Sequence, residues 1–306
     1  MRPHSGRFLV TGARGQVGGA VVDALLARGA AVRALVRPGS ESSTSTEPEL
    51  PDGCEVVSGA LARTADVLAA AEGVDGIFLL AGHPGIDAAL PALSGVGVRR
   101  AVLISTVAAA SGDLGNAISA FHIRSERALA ASGLAWTAVR SYALMSNVFR
   151  WTGQLAGGDR VRLPFADVAI AAIDPADVAE VVACCLLESG HAGRAYPVSG
   201  PEALTPAEQV AAVGRALGRS LGFEPVPAAE ARRELAATTP APFVEAFFRY
   251  YEDGEIDETT VVDTVRRITG RRPGTLAGYL AREPVARRLS AETSAPGSRD
   301  GRAGSR

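Results

Sequence analysis

The chain has 306 residues, of which 47% are hydrophobic, and this suffices for one large domain or for a domain with a small cap. Its net charge is −2 and no basic tract occurs, so the sequence offers no electrostatic basis for binding nucleic acid. No uninterrupted run of about 18 apolar residues is present, and the three cysteines form no metal or disulfide pattern, so we expect neither a membrane span nor a metal site.

The first informative segment is an apolar run, a glycine-rich loop and a helical pattern, in that order. Residues 8–10 are apolar, glycines follow with the spacing G-x-x-G-x-x-G up to Gly18, and a helical pattern ends at Gly29. This order lets backbone N–H groups and a helix N-terminus bind a pyrophosphate. We therefore predict that a dinucleotide contacts Thr11, Gly12, Arg14, Gly15, Gln16 and Val17. Because the first strand begins so close to the start, we expect no signal peptide and a cytoplasmic protein.

The residue that follows the second predicted strand indicates which dinucleotide is bound. In an NAD site, a carboxylate at this position accepts hydrogen bonds from the ribose 2′-hydroxyl. Here the strand 31–36 is followed by Arg37, and no carboxylate occurs before Glu41. An arginine pairs with a 2′-phosphate or stacks on adenine, and Arg14 adds a second positive charge. The sequence therefore predicts NADPH rather than NADH.

Strands and helices alternate along the next hundred residues. The predicted strands are 54–57, 76–82, 101–104 and 135–140, and the predicted helices are 64–72, 88–97 and 121–132. This alternation predicts an α/β fold, a doubly wound parallel Rossmann sheet with helices on both faces. Such sheets bind ligands at the carboxyl ends of their strands, so we expect one crevice to be surrounded by the glycine loop, Arg37, Ala81, Gly82, Ser105 and Tyr142.

The C-terminal half is less regular. We predict a strand within 161–173, a helix capped by Asp174, a strand over 195–198, a helix capped by Thr205, and an aromatic helix over 242–251. The domain organisation is then a NADP-binding Rossmann domain over 1–150 and a mixed region over 151–289 that completes the sheet and forms the substrate or lid part. Residues 38–53 are predicted to form a mobile loop and residues 290–306 a disordered tail.

Four segments together resemble the NmrA-like group of atypical short-chain dehydrogenases/reductases. These segments are residues 10–18, residues 35–37, residues 122–126 with 132–140, and residues 173–179. The resemblance covers about residues 7–285 and implies a Rossmann domain that binds NADP(H), with a smaller C-terminal substrate region. The group contains reductases and also cofactor-binding regulators, so the resemblance alone leaves both activities open.

The chain departs from this family at the catalytic positions. The parent enzymes use a serine after the fifth strand and a Tyr-x-x-x-Lys pair on the next helix, whereas alignment puts Ile118 at the tyrosine position and His122 at the lysine position. Lysine is absent from the entire chain. Reducing a ketone requires an alkoxide to be stabilised and protonated. The candidates are Ser105 and Thr106 as hydrogen-bond donors, His122 acting through a water, or a hydroxyl of the substrate beside its carbonyl.

Two functions follow from these observations. The first is an NADPH-dependent ketoreductase that acts on an aromatic or polyketide-like secondary metabolite, for example in antibiotic biosynthesis. The aromatic helix contains Phe247 and Tyr251, which form either core or a lid over such a substrate, and His83 is a further substrate candidate near the crevice. The alternative is a non-catalytic regulator that senses NADP(H). In both cases we expect a monomer or homodimer that binds a small molecule.

Overall fold

The computed structural model describes residues 6–39, 50–282, 286 and 288–291. Residues 40–49, most of the predicted mobile loop, lie outside the described residues. The same holds for residues 292–306 of the predicted disordered tail. The described part contains no helix that is long and apolar enough to cross a membrane.

The architecture is a parallel sheet covered by helices on both faces, as predicted. The strands in chain order are β1 (Arg7–Thr11), β2 (Ala31–Val36), β3 (Cys54–Ser58), β4 (Gly76–Leu80), β5 (Arg100–Thr106), β6 (Ala135–Ser141), β7 (Arg160–Leu163), β8 (Arg194–Val198) and β9 (Gly222–Pro225). Seven of them form one sheet in the order β3-β2-β1-β4-β5-β6-β8, and every pairing in it is parallel. The strands β7 and β9 pair separately.

The helices connect these strands and form the smaller C-terminal part. They are α1 (Gln16–Leu26), α2 (Thr64–Ala71), α3 (Pro84–Ala89), α4 (Ala117–Ala130), α5 (Thr152–Gly157), α6 (Pro175–Leu187), α7 (Pro206–Leu217), α8 (Ala228–Ala236), α9 (Ala241–Tyr251), α10 (Thr264–Thr269) and α11 (Leu276–Ala281). Short 3₁₀ turns occupy Leu90–Val96, Val107–Ser111 and Met145–Trp151.

Two apolar layers cover the sheet because successive residues of a strand point to opposite faces. Val10 and Phe78 face one side, where helices α1 and α6 pack against them. Leu9 and Ile77 face the other side, against helices α2 and α3. All four side chains are fully buried. The carboxyl ends of the strands are thereby left as the open edge at which a ligand site can form.

Two of the predicted helix starts are confirmed in detail. The Asp174 carboxylate accepts the Ala176 N–H at 2.8 Å, and proline occupies the first position of α6. Thr205 and Glu208 form the reciprocal pair of bonds known as a capping box at the start of α7.

Three predicted elements differ from the structure. The helix predicted over 88–97 is a short α-helix followed by a 3₁₀ turn, because Pro91 has no N–H to continue the α-helical bonding. The helix predicted from residue 121 begins four residues earlier, since the Asn116 side chain caps it by accepting the N–H groups of Ile118 and Ser119. The strand sought within 161–173 is limited to β7.

Candidate functional site

The glycine loop has the geometry that a pyrophosphate requires. Gly12 has a φ of +62°, and a Cβ added to Gly18 would lie 2.0 Å from the Gly12 carbonyl oxygen, so neither position tolerates a side chain. Gly15 begins helix α1 without a side-chain cap, and the first turn carries no acidic residue. Gly15 and Gln16 are exposed. The uncapped N–H groups of an 11-residue helix therefore face solvent at the carboxyl end of β1, where they suit an anion.

The other predicted cofactor residues of this half lie in different environments. Arg37 is exposed directly after β2, and Arg14 is half-buried within the loop. The Thr11 hydroxyl instead donates to the Phe78 carbonyl at 2.9 Å and is fully buried, so it links β1 to β4. Val17 belongs to the core. Any contact of Thr11 or Val17 with a nucleotide is therefore made by the main chain.

Helix α4 closes over the carboxyl end of β4. The Gly82 N–H donates to Ser125 Oγ at 2.8 Å, and a Cβ at Gly82 would lie 1.5 Å from the Phe121 ring. Gly82 also has a φ of +77°, so glycine is required there for two reasons. The predicted substrate residue His83 follows at the N-terminus of α3. Burial raises the pKa of Asp87 in this helix, and the nearby His83 offsets part of the effect.

The hydroxyl of the predicted catalytic serine is bonded to a partly buried ion pair. Ser105 is 2% exposed, and its hydroxyl donates to Glu126 Oε1 at 2.6 Å. Both oxygens of Glu126 also accept hydrogen bonds from Arg140, at 3.0 and 2.6 Å. This bidentate geometry is the strong form of the arginine–carboxylate pair. The arrangement links β5, β6 and α4 and engages the Ser105 hydroxyl.

His122 and Thr106 complete the predicted catalytic group. Burial lowers the pKa of His122 to about 4, and the nearby Glu126 carboxylate offsets only part of this effect. The His122 Nδ1 atom is buried and has no hydrogen-bond partner. At neutral pH the His122 ring is therefore uncharged, and a neutral imidazole is a poor proton donor. Thr106 lies half-buried at the end of β5, paired with Ser141 of β6.

A cavity of about 350 Å³ opens beyond the carboxyl end of β6. Two of its lining residues, Ala143 and Leu144, follow that strand almost directly. The rings of Phe165, Phe247 and Tyr251 form one wall, and the polar groups of Asn147, Arg150 and Gln209 also line the space. The cavity thus contains the predicted substrate residues Phe247 and Tyr251, whereas His83 is not part of its lining.

Backbone strain marks the same wall. Phe165 has a φ of 57°, and it is the one non-glycine residue with a positive φ among those that the structure describes. A bulky residue in this conformation is an outlier that costs about 1–3 kcal/mol. Its ring lies 5.7 Å from that of Phe247 and 5.5 Å from that of Tyr251. These aromatic contacts hold Phe165 in place, and strain of this kind is concentrated at functional sites.

Sequence reasoning missed a buried carboxyl group behind this wall. Glu258 is 5% exposed and accepts two hydrogen bonds, from the Tyr251 hydroxyl at 2.7 Å and from the Ala143 N–H at 2.8 Å. Burial raises the pKa of Glu258, while these two bonds act in the opposite direction. Burial also raises the pKa of Tyr142, the predicted cofactor residue at the end of β6, and Asp257 and Glu258 add to the shift. No local sequence pattern identifies Glu258, because one of its two partners, Ala143, lies 115 positions earlier in the chain.

The described residues contain no group of three or more histidine, cysteine or acidic side chains that could hold a metal ion.

Comparison with known proteins places this site in context. A family model described as NAD(P)H-binding matches residues 12–189. The chain is 38% identical over 268 residues to a Streptomyces griseus protein named (4-alkanoyl-5-oxo-2,5-dihydrofuran-3-yl)methyl phosphate reductase, with 86% of this chain and 93% of that protein covered. It is 29% identical over 279 residues to the NAD(P)H azoreductase of Xenophilus azovorans, covering 89% and 96% of the two chains.

A solved structure supports the fold. The NADPH-dependent quinone oxidoreductase from Escherichia coli, complexed with NADPH, superposes with a TM-score of 0.72 over 90% of this chain and 98% of that chain. The sequence identity is 21%, so this likeness concerns the fold alone.

Proposed function

The chain belongs to the NAD(P)H-binding family of NmrA-like, atypical short-chain dehydrogenases/reductases, and we propose that it is an NADPH-dependent reductase of a carbonyl-bearing aromatic or polyketide-like metabolite. When bound, the dinucleotide supplies a hydride. The residues that would hold it are those of the glycine loop, with Arg37 and Arg14 beside the 2′-phosphate. A ketone carbonyl is the group that we expect to be reduced.

The observation that carries the proposal is the position of the aromatic cavity. It begins directly after β6, at the edge of the sheet where the ligands of doubly wound folds bind. Its size is within the range of small-molecule sites, and its wall of three rings offers flat apolar surface with a few polar groups. A planar conjugated substrate fits this chemistry.

One cation refines the substrate class. Arg150 lines the cavity and forms no salt bridge within the described part of the chain, unlike Arg162, which pairs with Glu224 and Glu230. An arginine at a cavity wall suits a phosphate or carboxylate. The relative from Streptomyces griseus is named for a phosphate ester. We therefore expect an anionic group on the preferred substrate.

The test is NADPH oxidation by the purified chain with aromatic ketones, quinones and an alkanoyl furanone phosphate. We expect turnover of at least one class, and no turnover by Gly15→Val, because a side chain at this position should prevent cofactor binding. Arg150→Gln should raise the KM for the phosphorylated compound about tenfold while leaving that for an uncharged ketone unchanged. Arg162→Gln is the matched control. Tight NADPH binding with no turnover of any compound would instead favour the non-catalytic regulator.

A further inference from the structure

Two of the residues that line the aromatic cavity share one buried carboxyl group. Tyr251 and Ala143 both form part of the cavity wall, and each donates a hydrogen bond to a different oxygen of Glu258. Glu258 therefore lies immediately behind the wall, at the end of the cavity that adjoins β6. Its own backbone carbonyl accepts the Ala171 N–H at 2.7 Å, so the residue is fixed at both ends.

The proposed reduction lacks an evident proton donor. Ile118 occupies the position at which the family carries its tyrosine, and the chain has no lysine. The Ser105 hydroxyl donates to Glu126, and His122 is uncharged at neutral pH. Tyr251 differs from these residues, because it lines the cavity and its hydroxyl is bonded to a buried carboxyl group. The carboxylate partner of Ser105 is instead held by Arg140 in a bidentate pair.

We propose that Tyr251 is the proton donor of the proposed reduction and that Glu258, acting through it, is the reservoir that restores the proton. The proposal rests on the reductase function argued above. NADPH provides the electron pair of the new C–H bond and is oxidised to NADP⁺. With Glu258 as the carboxylic acid, its O–H donates to the Tyr251 oxygen across the 2.7 Å that separates them, and the Tyr251 O–H turns to the substrate. The Tyr251 O–H bond then breaks as an O–H bond forms on the substrate oxygen. The proton of the Glu258 carboxylic acid then passes to the Tyr251 oxygen, and water returns a proton to Glu258.

The surroundings of Glu258 raise its pKa, in the direction of the carboxylic acid form. Burial is the main reason for its raised pKa, and Asp257 raises it further, whereas the hydrogen bonds from Tyr251 and Ala143 lower it. Tyr142 at the end of β6 and Tyr250 of α9 also interact electrostatically with Glu258. Burial is also the main reason for the raised pKa of Tyr251. Glu258 and Tyr250 raise this pKa further, and Arg150 lowers it. A tyrosine whose partner is a neutral acid regains its proton without leaving an anion in the wall.

The chain offers matched controls for both residues. Tyr250 is the adjacent tyrosine, 6% exposed, and its hydroxyl pairs with Ser119 Oγ at 2.7 Å rather than with Glu258. Glu255 is a nearby carboxylate that pairs with Arg249 at 2.7 Å. Substituting these two residues removes the same chemical groups from the same segment and leaves the hydrogen bond between Tyr251 and Glu258 in place.

The experiment compares kcat and its pH dependence for the full chain with NADPH and two probes, ortho-hydroxyacetophenone and its methyl ether. Tyr251→Phe should lower kcat about 100-fold or more with unchanged NADPH affinity, and Tyr250→Phe about twofold at most. In the wild type, kcat should fall as the pH rises through the Glu258 pKa. Glu258→Gln should lower kcat and remove that dependence, whereas Glu255→Gln should keep it.

A second readout does not depend on activity. Below its unfolded pKa of 4.5, Glu258 is protonated in both states; above it, the folded chain keeps a proton that the unfolded chain has released. The stability that this gives is lost as the pH rises through the folded pKa, so urea unfolding of wild type and Glu258→Gln should diverge with pH. A constant difference overturns the reservoir.

The remaining outcomes separate this proposal from the proposed function. Wild-type activity that survives in Tyr251→Phe but is lost with the methyl ether would overturn the donor assignment, since the substrate would then supply the proton. If the wild type reduces neither these probes nor the wider panel, the reductase function fails. The pH dependence of unfolding still decides whether Glu258 holds a proton.

Discussion

The bond from Ser105 to Glu126 gives a quantitative prediction, because the same hydroxyl was assigned to catalysis on the sequence pattern alone. Replacing Ser105 by alanine removes one short hydrogen bond to a carboxylate whose side chain is 11% exposed. Hydrogen bonds to charged groups contribute about 1.5–3 kcal/mol. Glu126 keeps its bidentate contact with Arg140, so the carboxylate is not left unpaired. We therefore expect Ser105→Ala to lower the free energy of unfolding by about 2 kcal/mol.

A matched control separates the charged bond from an ordinary one. Ser132 is also buried, and its hydroxyl donates to the Leu129 carbonyl at 2.6 Å and accepts the Leu134 N–H at 3.3 Å. Both partners are neutral, so Ser132→Ala should cost only about 1 kcal/mol. The measurement is equilibrium urea unfolding of both variants, together with kcat for whichever compound the wild type reduces. We expect kcat of Ser105→Ala to fall about tenfold or less. Unchanged stability combined with a loss of several orders of magnitude in kcat would refute this reasoning and make Ser105 a catalytic residue.

Three further predictions concern the cofactor site and the buried histidine. The wild type should bind NADPH at least about tenfold more tightly than NADH by calorimetry, and Arg37→Asp should remove that preference by losing a contact of about 1.5–3 kcal/mol. Gly15→Val should abolish NADPH binding while circular dichroism shows an intact fold; unchanged affinity would mean that the nucleotide binds elsewhere. His122 has a folded pKa of about 4 against 6.5 when unfolded, so the stability due to its neutral form is complete above pH 6.5 and is lost as the pH falls towards 4. Unfolding of His122→Gln should lack that dependence, and an NMR titration midpoint near 6.5 would contradict the assignment.

Features that depend on local pattern were predictable from the sequence. One such feature is the segment from β1 through the glycine loop and α1 to β2, because apolar periodicity and glycine spacing are patterns of a few neighbouring residues. The caps at Asp174 and Thr205 are others, because a cap involves only its own first turn. Pro91 shows the limit of periodicity, since one missing N–H group changed the type of helix.

Features that depend on distant partners were not predictable. The contact between Glu258 and Ala143 joins residues 115 positions apart, and nothing beside Glu258 in the chain signals that it becomes buried. The β9 strand went unrecognised for the same reason, because its partner β7 lies about sixty positions earlier. The sequence suggested Ser105 as catalytic by its position after β5, but only the folded chain brings Glu126 and Arg140 to its hydroxyl.

Two different parts of the chain contribute to nucleotide binding and to the substrate cavity. We propose that the glycine loop and the strand ends of the first half hold the nucleotide. Helix α9 contributes Phe247 and Tyr251 to the cavity, and the segment after it contributes Glu258, the partner of the proposed proton donor. Because Glu258 binds the main chain just after β6, the C-terminal segment is positioned by the same strand that borders the crevice. Substitutions in α9 should therefore alter substrate choice and protonation while leaving nucleotide affinity intact, and the reverse should hold for the glycine loop.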